Sequence, residues 1–100
     1  MAYDINTAMS LLDGKQIQDL RQALGLSQVQ FAQLFGVHFM TVSKWERDVA
    51  APSSYQTALM RQFSVTAAAK REQARSEVQN LLVGAGVVAA LIWLLTAAKK

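Results

Sequence analysis

Few residues in this 100-residue chain are equipped for chemistry, and they sit close together. The single histidine, His38, stands near an expected helix start with no other metal-ligating side chain beside it, which suits a cap or a surface position better than a metal or catalytic role. Lys44 and Arg47 follow, three residues apart, in a stretch where Val42 and Trp45, also three apart, point to a short helix. Two cations so placed are either ordinary solvated charges or groups that meet phosphate oxygens. Bond-making chemistry has no such set. There is no cysteine, no ligand cluster with metal spacing, no phosphate-cradling glycine loop ahead of a helix and no carboxylate pair spaced for acid and base work. Gly84 and Gly86 lie in an apolar stretch without the strand and polar context of a nucleotide site. Catalysis, a metal and a cofactor are therefore not expected.

The elements that must position Lys44 and Arg47 are short helices. GKQIQDLRQAL, residues 14 to 24, carries Ile17, Leu20 and Leu24 at helical spacing, with Asp13 placed to cap its start and Gly25 to stop it. Ser27 precedes a second run with Phe31, Leu34 and Phe35 on one face, which Gly36 ends after about two turns. A third helix follows Val37. Two short helices divided by one glycine make a helix-turn-helix pattern, in which Ala32 lets the second helix approach and Gly36 supplies the positive φ of a tight turn. Pro52 and Ser53 then suit the start of a fourth helix, with Tyr55, Leu59 and Phe63 as its apolar stripe.

The segment LRQALGLSQVQFAQLFGVHFMTVSKWERDVAAPS, residues 20 to 53, resembles the helix-turn-helix domains of the XRE family, the bacterial and phage repressors of Cro and C1 type. LGLSQ, the FAQLFGV block, TVSKWE and the later proline occur in the order and at the spacing of that family. The resemblance implies an all-α fold: a compact bundle of four to five helices with the helix that begins near His38 inserted in the major groove of double-stranded DNA. It also implies that His38, Phe39, Met40, Thr41, Ser43, Lys44 and Arg47 face outward, and that Gln28 lies near a phosphate. Arg21 and Glu46 resemble the family's ion pair between the first and third helices, a structural role rather than a DNA contact.

Two features stand apart from that pattern. Residues 1 to 69 hold five basic side chains (Lys15, Arg21, Lys44, Arg47, Arg61) against five acids (Asp4, Asp13, Asp19, Glu46, Asp48), so the chain's net charge of +3 arises wholly after residue 69. A neutral reader needs dimerisation or clustering to reach useful affinity for DNA, and a homo-oligomer is expected. Phe39 and Met40 occupy positions where the family usually carries polar side chains. They either touch thymine methyls or form an apolar patch for a protein partner.

Residues 81 to 98 carry no charge at all. As one continuous helix they would run about 27 Å, against roughly 30 Å for a bilayer core. Trp93 near one end, Lys99 and Lys100 beyond it, and Lys70, Arg71 and Arg75 before it fit a transmembrane anchor facing the inner leaflet. Small residues four apart, Ala85 with Ala89 and Gly86 with Ala90, equally permit close helix packing in an oligomer or a soluble bundle. Residues 66 to 80 read as a basic, solvated helical linker.

The expected organisation is an N-terminal segment (1–13), a helix-turn-helix domain (14–65), the linker (66–80) and an apolar, transmembrane helix (81–98). Residues 1–13, with Tyr3, Ile5, Met9, Leu11 and Leu12, serve as a dimer arm or as a cover for the core. The corresponding function is a bacterial or phage transcription regulator, its reading domain in the cytoplasm and its tail in the inner membrane. A repressor that oligomerises through its tail is one alternative. The other is a membrane-anchored scaffold, since the order of helix-turn-helix, basic stretch and apolar span also resembles the family of the cell-shape protein RodZ, whose helical domain binds a cytoskeletal protein.

Overall fold

Asp13, Ser27 and Ser53 each start a helix by the same local device. In the computed structural model, which describes residues 12–99, their side-chain oxygens accept from the backbone N–H three residues on. Gln16, Gln30 and Gln56 return the bond to the cap's own N–H at 2.9–3.0 Å. Two orphan donors are satisfied at each start, which fixes the first turn of α1 (Gly14–Ala23), α2 (Gln28–Phe35) and α4 (Ser54–Ala69). Between them α3 (Phe39–Glu46) is capped by His38, whose Nδ1 accepts from the Met40 N–H at 3.1 Å. Two further helices, α5 (Arg71–Gly84) and α6 (Val87–Thr96), and a 3₁₀ turn (Ala97–Lys99) complete the described chain, which is helical with no strand. Readings placed on residues 1–11 and Lys100 fall outside the described residues. Leu12 is half-buried against the core.

One apolar core runs through all six described α-helices. Ile17 and Leu20 of α1, Phe31, Ala32 and Leu34 of α2, Val42 and Trp45 of α3, Met60 and Phe63 of α4, Ala74 and Val78 of α5, and Ala90 and Leu94 of α6 belong to the same buried cluster. At roughly 1.5–3 kcal/mol for each large side chain, the tail's buried residues contribute to the same stability as those of the front helices. The buried face of α4 is turned away from the expected stripe. Phe63 is buried, but Leu59 is only half-buried and Tyr55 is 72% exposed, while Thr57, Met60, Thr66 and Ala67 point inward. The reason is the tail, because α4 must cover α1 on one side and receive α6 on the other.

The tail is not one helix. The α5 helix ends where the N–H groups of Ala85 and Gly86 both donate to the Leu81 carbonyl, at 2.7 and 2.8 Å. Gly86 then takes φ +107°, a backbone state that side chains rarely adopt, and the chain reverses into α6. Ten residues rise about 15 Å, half a bilayer core. No described helix is long and apolar enough to cross a membrane, so the expected transmembrane anchor is corrected to a helical hairpin folded back on the front domain. Gly86 forms the turn, with open space where a Cβ would stand, and is not the close-packing position expected of it. Ala90 and Leu94 are fully buried, and Trp93 is half-buried in a shallow groove with Lys70, Gln73 and Glu77.

The stretch expected as a solvated linker is likewise packed. Ala74, Val78 and Leu82, four apart on α5, form a narrow buried stripe. Its backbone comes close to the front domain at Gly25, where a Cβ would lie 2.8 Å from the Arg75 carbonyl oxygen. A second tie joins the buried Thr66 hydroxyl, which donates to the Leu94 carbonyl at 2.5 Å and so satisfies an acceptor in the last turn of α6.

Candidate nucleic-acid interface

The α2–α3 pair is held rigid from both sides. Gly36 ends α2 at φ +66°, and the Val37 N–H donates back to the Ala32 carbonyl at 3.1 Å, so the reversal takes three residues, Gly36 to His38. Ala32, 2% exposed, leaves room for the crossing. Beneath the turn Phe35 packs edge-on against Phe31 and Trp45, with ring centroids 5.0 and 5.7 Å apart, and lies 5.6 Å from Phe63 of α4. The angle between α2 and α3 is thus set by four aromatic rings rather than by the turn alone.

A polar clamp fixes the other end of α3. Arg21 on α1 donates to both Glu46 carboxylate oxygens, from Nε at 2.6 Å and from Nη2 at 3.1 Å, and its Nη1 donates to the Leu26 carbonyl at 3.0 Å. Glu46 accepts a further bond from the Gln28 amide at 3.1 Å. The side chains of Arg21 and Glu46 are only 13% and 5% exposed, so the bidentate pair is desolvated and fully engaged. It ties α1, the α1–α2 loop, the start of α2 and the end of α3 into one unit. Gln28, expected at a phosphate, has its amide committed to this clamp.

Sequence reasoning missed two residues that complete the clamp. Gly14 is buried against the end of α3, and any Cβ there would sit 2.2 Å from the Glu46 carbonyl oxygen. Its N–H donates to Asp48 Oδ1 at 2.9 Å, and Asp48 holds φ +59°, the one positive value among the described non-glycine residues. The only local sign was a glycine directly after the capping Asp13, where a better helix former would be ordinary.

The clamp leaves one face of α3 open. His38, Phe39, Met40, Lys44 and Arg47 are exposed, and Thr41 and Ser43 are half-buried beside them. Ser43 accepts from Arg47 Nε at 3.2 Å, and the His38 ring lies 4.6 Å from that of Phe39. With Nδ1 accepting at the cap, the neutral imidazole of His38 carries its proton on Nε2, where it can donate. The open face thus offers two cations, an imidazole donor and two hydroxyls around an apolar tip formed by Phe39 and Met40. Among the described residues no group of three or more acidic, histidine or cysteine side chains is placed to hold a metal.

Residues 17–54 match a family model described as helix-turn-helix, of the XRE kind. No curated protein and no solved structure matches the chain. The matched segment runs from inside α1 to the start of α4 and includes Arg21, Gln28, Glu46 and Asp48 of the clamp, though not Gly14, and the whole open face of α3. The likeness is confined to this segment, 38 of the chain's 100 residues, which is similar to a helix-turn-helix domain.

Proposed function

We propose that this helix-turn-helix chain is a transcriptional regulator of bacterial or phage type that binds double-stranded DNA with α3 in the major groove. The observation that carries the reading is the open face of α3, with Lys44 and Arg47 exposed on a helix whose far end is fixed by the Arg21–Glu46–Gln28 bonds. On this reading Lys44, Arg47 and the His38 Nε2 donor meet phosphates, and the tip of the helix meets base edges. The arginine–glutamate clamp positions α3 and touches no DNA. Because the front of the chain is neutral, two chains act together, and binding rises more than linearly with protein concentration.

Salt tests the reading. Affinity of the full chain for a mixed-sequence duplex, followed by fluorescence anisotropy between 50 and 200 mM salt, is expected to fall steeply, since each neutralised phosphate contributes about −0.9 to the logarithmic slope. Lys44→Ala with Arg47→Ala should make that slope shallower by about two. A second reading, contact with a protein through Phe39 and Met40, is favoured by their exposure of 40% and 44%. A duplex affinity that is weak and indifferent to salt would replace the first reading with the second.

A further inference from the structure

The tip of α3 is apolar on a surface whose other groups are polar. In helix-turn-helix docking the first residues of the second helix meet the edges of the bases. Here those residues are Phe39 and Met40, both substantially exposed although neither has a side-chain donor suited to a base edge. Some of the polar groups on and beside α3 are engaged. His38 Nδ1 holds the helix cap, Ser43 Oγ accepts from Arg47, and the Gln28 amide is bound to Glu46. No Asn or Gln stands on α3 to make the paired bond to adenine that would otherwise identify an A·T pair. The apolar group that a base pair displays in the major groove is the C5 methyl of thymine.

Resting on the DNA-binding reading above, we infer that Phe39 and Met40 are the specificity-determining residues and that they recognise thymine by enclosing its methyl group. The two differ in stiffness. The Phe39 ring lies against the imidazole of His38, tilted 32° to it, and as a rigid ring supported on one side it is the stricter reader of the two. Met40 has an unbranched thioether that adapts to the surface it meets and tolerates a shift in the neighbouring base step. The preferred site therefore has thymines at one strict and one looser position within each half.

The test is a selection of duplexes from a random pool by the full chain, followed by replacement of each thymine in the selected duplex by deoxyuridine. That replacement removes the methyl and leaves every hydrogen-bonding edge intact. Loss of one enclosed methyl should weaken binding about four-fold, the equivalent of about 0.8 kcal/mol. The pair Phe39→Ala and Met40→Ala, both at exposed positions, should bind the thymine and deoxyuridine duplexes equally while keeping the helical circular dichroism of the parent. A selected duplex that binds equally well with deoxyuridine throughout would overturn the inference and leave the DNA-binding reading standing. So would salt-dependent binding with no sequence enriched from the pool. Absence of any salt-dependent duplex binding would remove the DNA-binding reading and this inference with it.

Discussion

The chain contains two helical hairpins, α2–α3 and α5–α6, and each reverses at a glycine in the left-handed half of backbone space, Gly36 at φ +66° and Gly86 at φ +107°. Around Gly36 polar bonds dominate. Ser27 and His38 cap the two helices, and the Arg21–Glu46–Gln28 clamp locks their far ends. Around Gly86 neither helix start has a side-chain cap, and burial of Ala74, Val78, Ala90 and Leu94 holds the hairpin together with the Thr66–Leu94 hydrogen bond. A helix that must present its outer face to a ligand needs its angle fixed without covering that face, and directional bonds at its ends accomplish this. A hairpin that only closes a core can rely on apolar area, which is indifferent to small rotations.

The sharpest way to break the contrast is to remove the centre of the clamp. Glu46→Ala leaves a desolvated guanidinium and the Gln28 amide without their acceptor, and should cost about 3–5 kcal/mol in urea denaturation. A loss below about 1 kcal/mol would mean that the clamp orients α3 without stabilising it. Leu94→Ala, at the centre of the tail's contribution, should cost about 2–5 kcal/mol. Because the core is continuous, it should lower one cooperative thermal transition. Two separate transitions would show that the tail melts as an independent unit.

Two glycine replacements sharpen the contrast further. Gly36→Ala meets open space and should lose only the left-handed penalty of about 1–2 kcal/mol. Gly25→Ala, at φ +71°, carries the same penalty and also drives a methyl against the Arg75 carbonyl. It should cost more by about 1 kcal/mol or above. Equal losses would indicate that α5 yields at Arg75. The smallest effect belongs to Ser27→Ala, about 1 kcal/mol for the lost cap, read as a shift in the urea midpoint at constant slope.

The front of the molecule was legible because its signals are local. Asp13, Ser27 and Ser53 each stand three residues before a glutamine, and Gly36 marks the reversal, so the helix starts and the turn follow from neighbouring residues alone. The spacing of Val42 and Trp45 marks α3 as a helix, and the family resemblance implies their inward faces. Elsewhere the deciding partner lies far away in the chain. The rotation of α4 that exposes Tyr55 and buries Met60 depends on α6, about thirty residues later. The narrow Ala74–Val78–Leu82 stripe carries too little apolar area to stand out in a polar sequence. A long uncharged run reads as one span when residues are counted for hydropathy. The Gly84-Ala85-Gly86 triplet that divides it equally suits close helix packing, because Ala85 with Ala89 and Gly86 with Ala90 are small residues four apart. The approach of Gly14 to Glu46 joins residues 32 apart and has no local sign beyond the glycine itself.

The three capping boxes also bear on the order of events when the chain folds. Each closes across three residues, so α1, α2 and α4 begin on the sub-microsecond scale of helix formation, whereas the uncapped tail gains little until α2 and α4 present a surface to it. The two tryptophans provide separate clocks, one per region, and in a stopped-flow experiment on single-tryptophan variants Trp93 should settle after Trp45. A simultaneous change would put both regions in one nucleus. In a polypeptide leaving the ribosome the delay has a practical meaning: eighteen uncharged residues stay uncovered for a time after the front has formed, and during that interval they invite aggregation and chaperone capture.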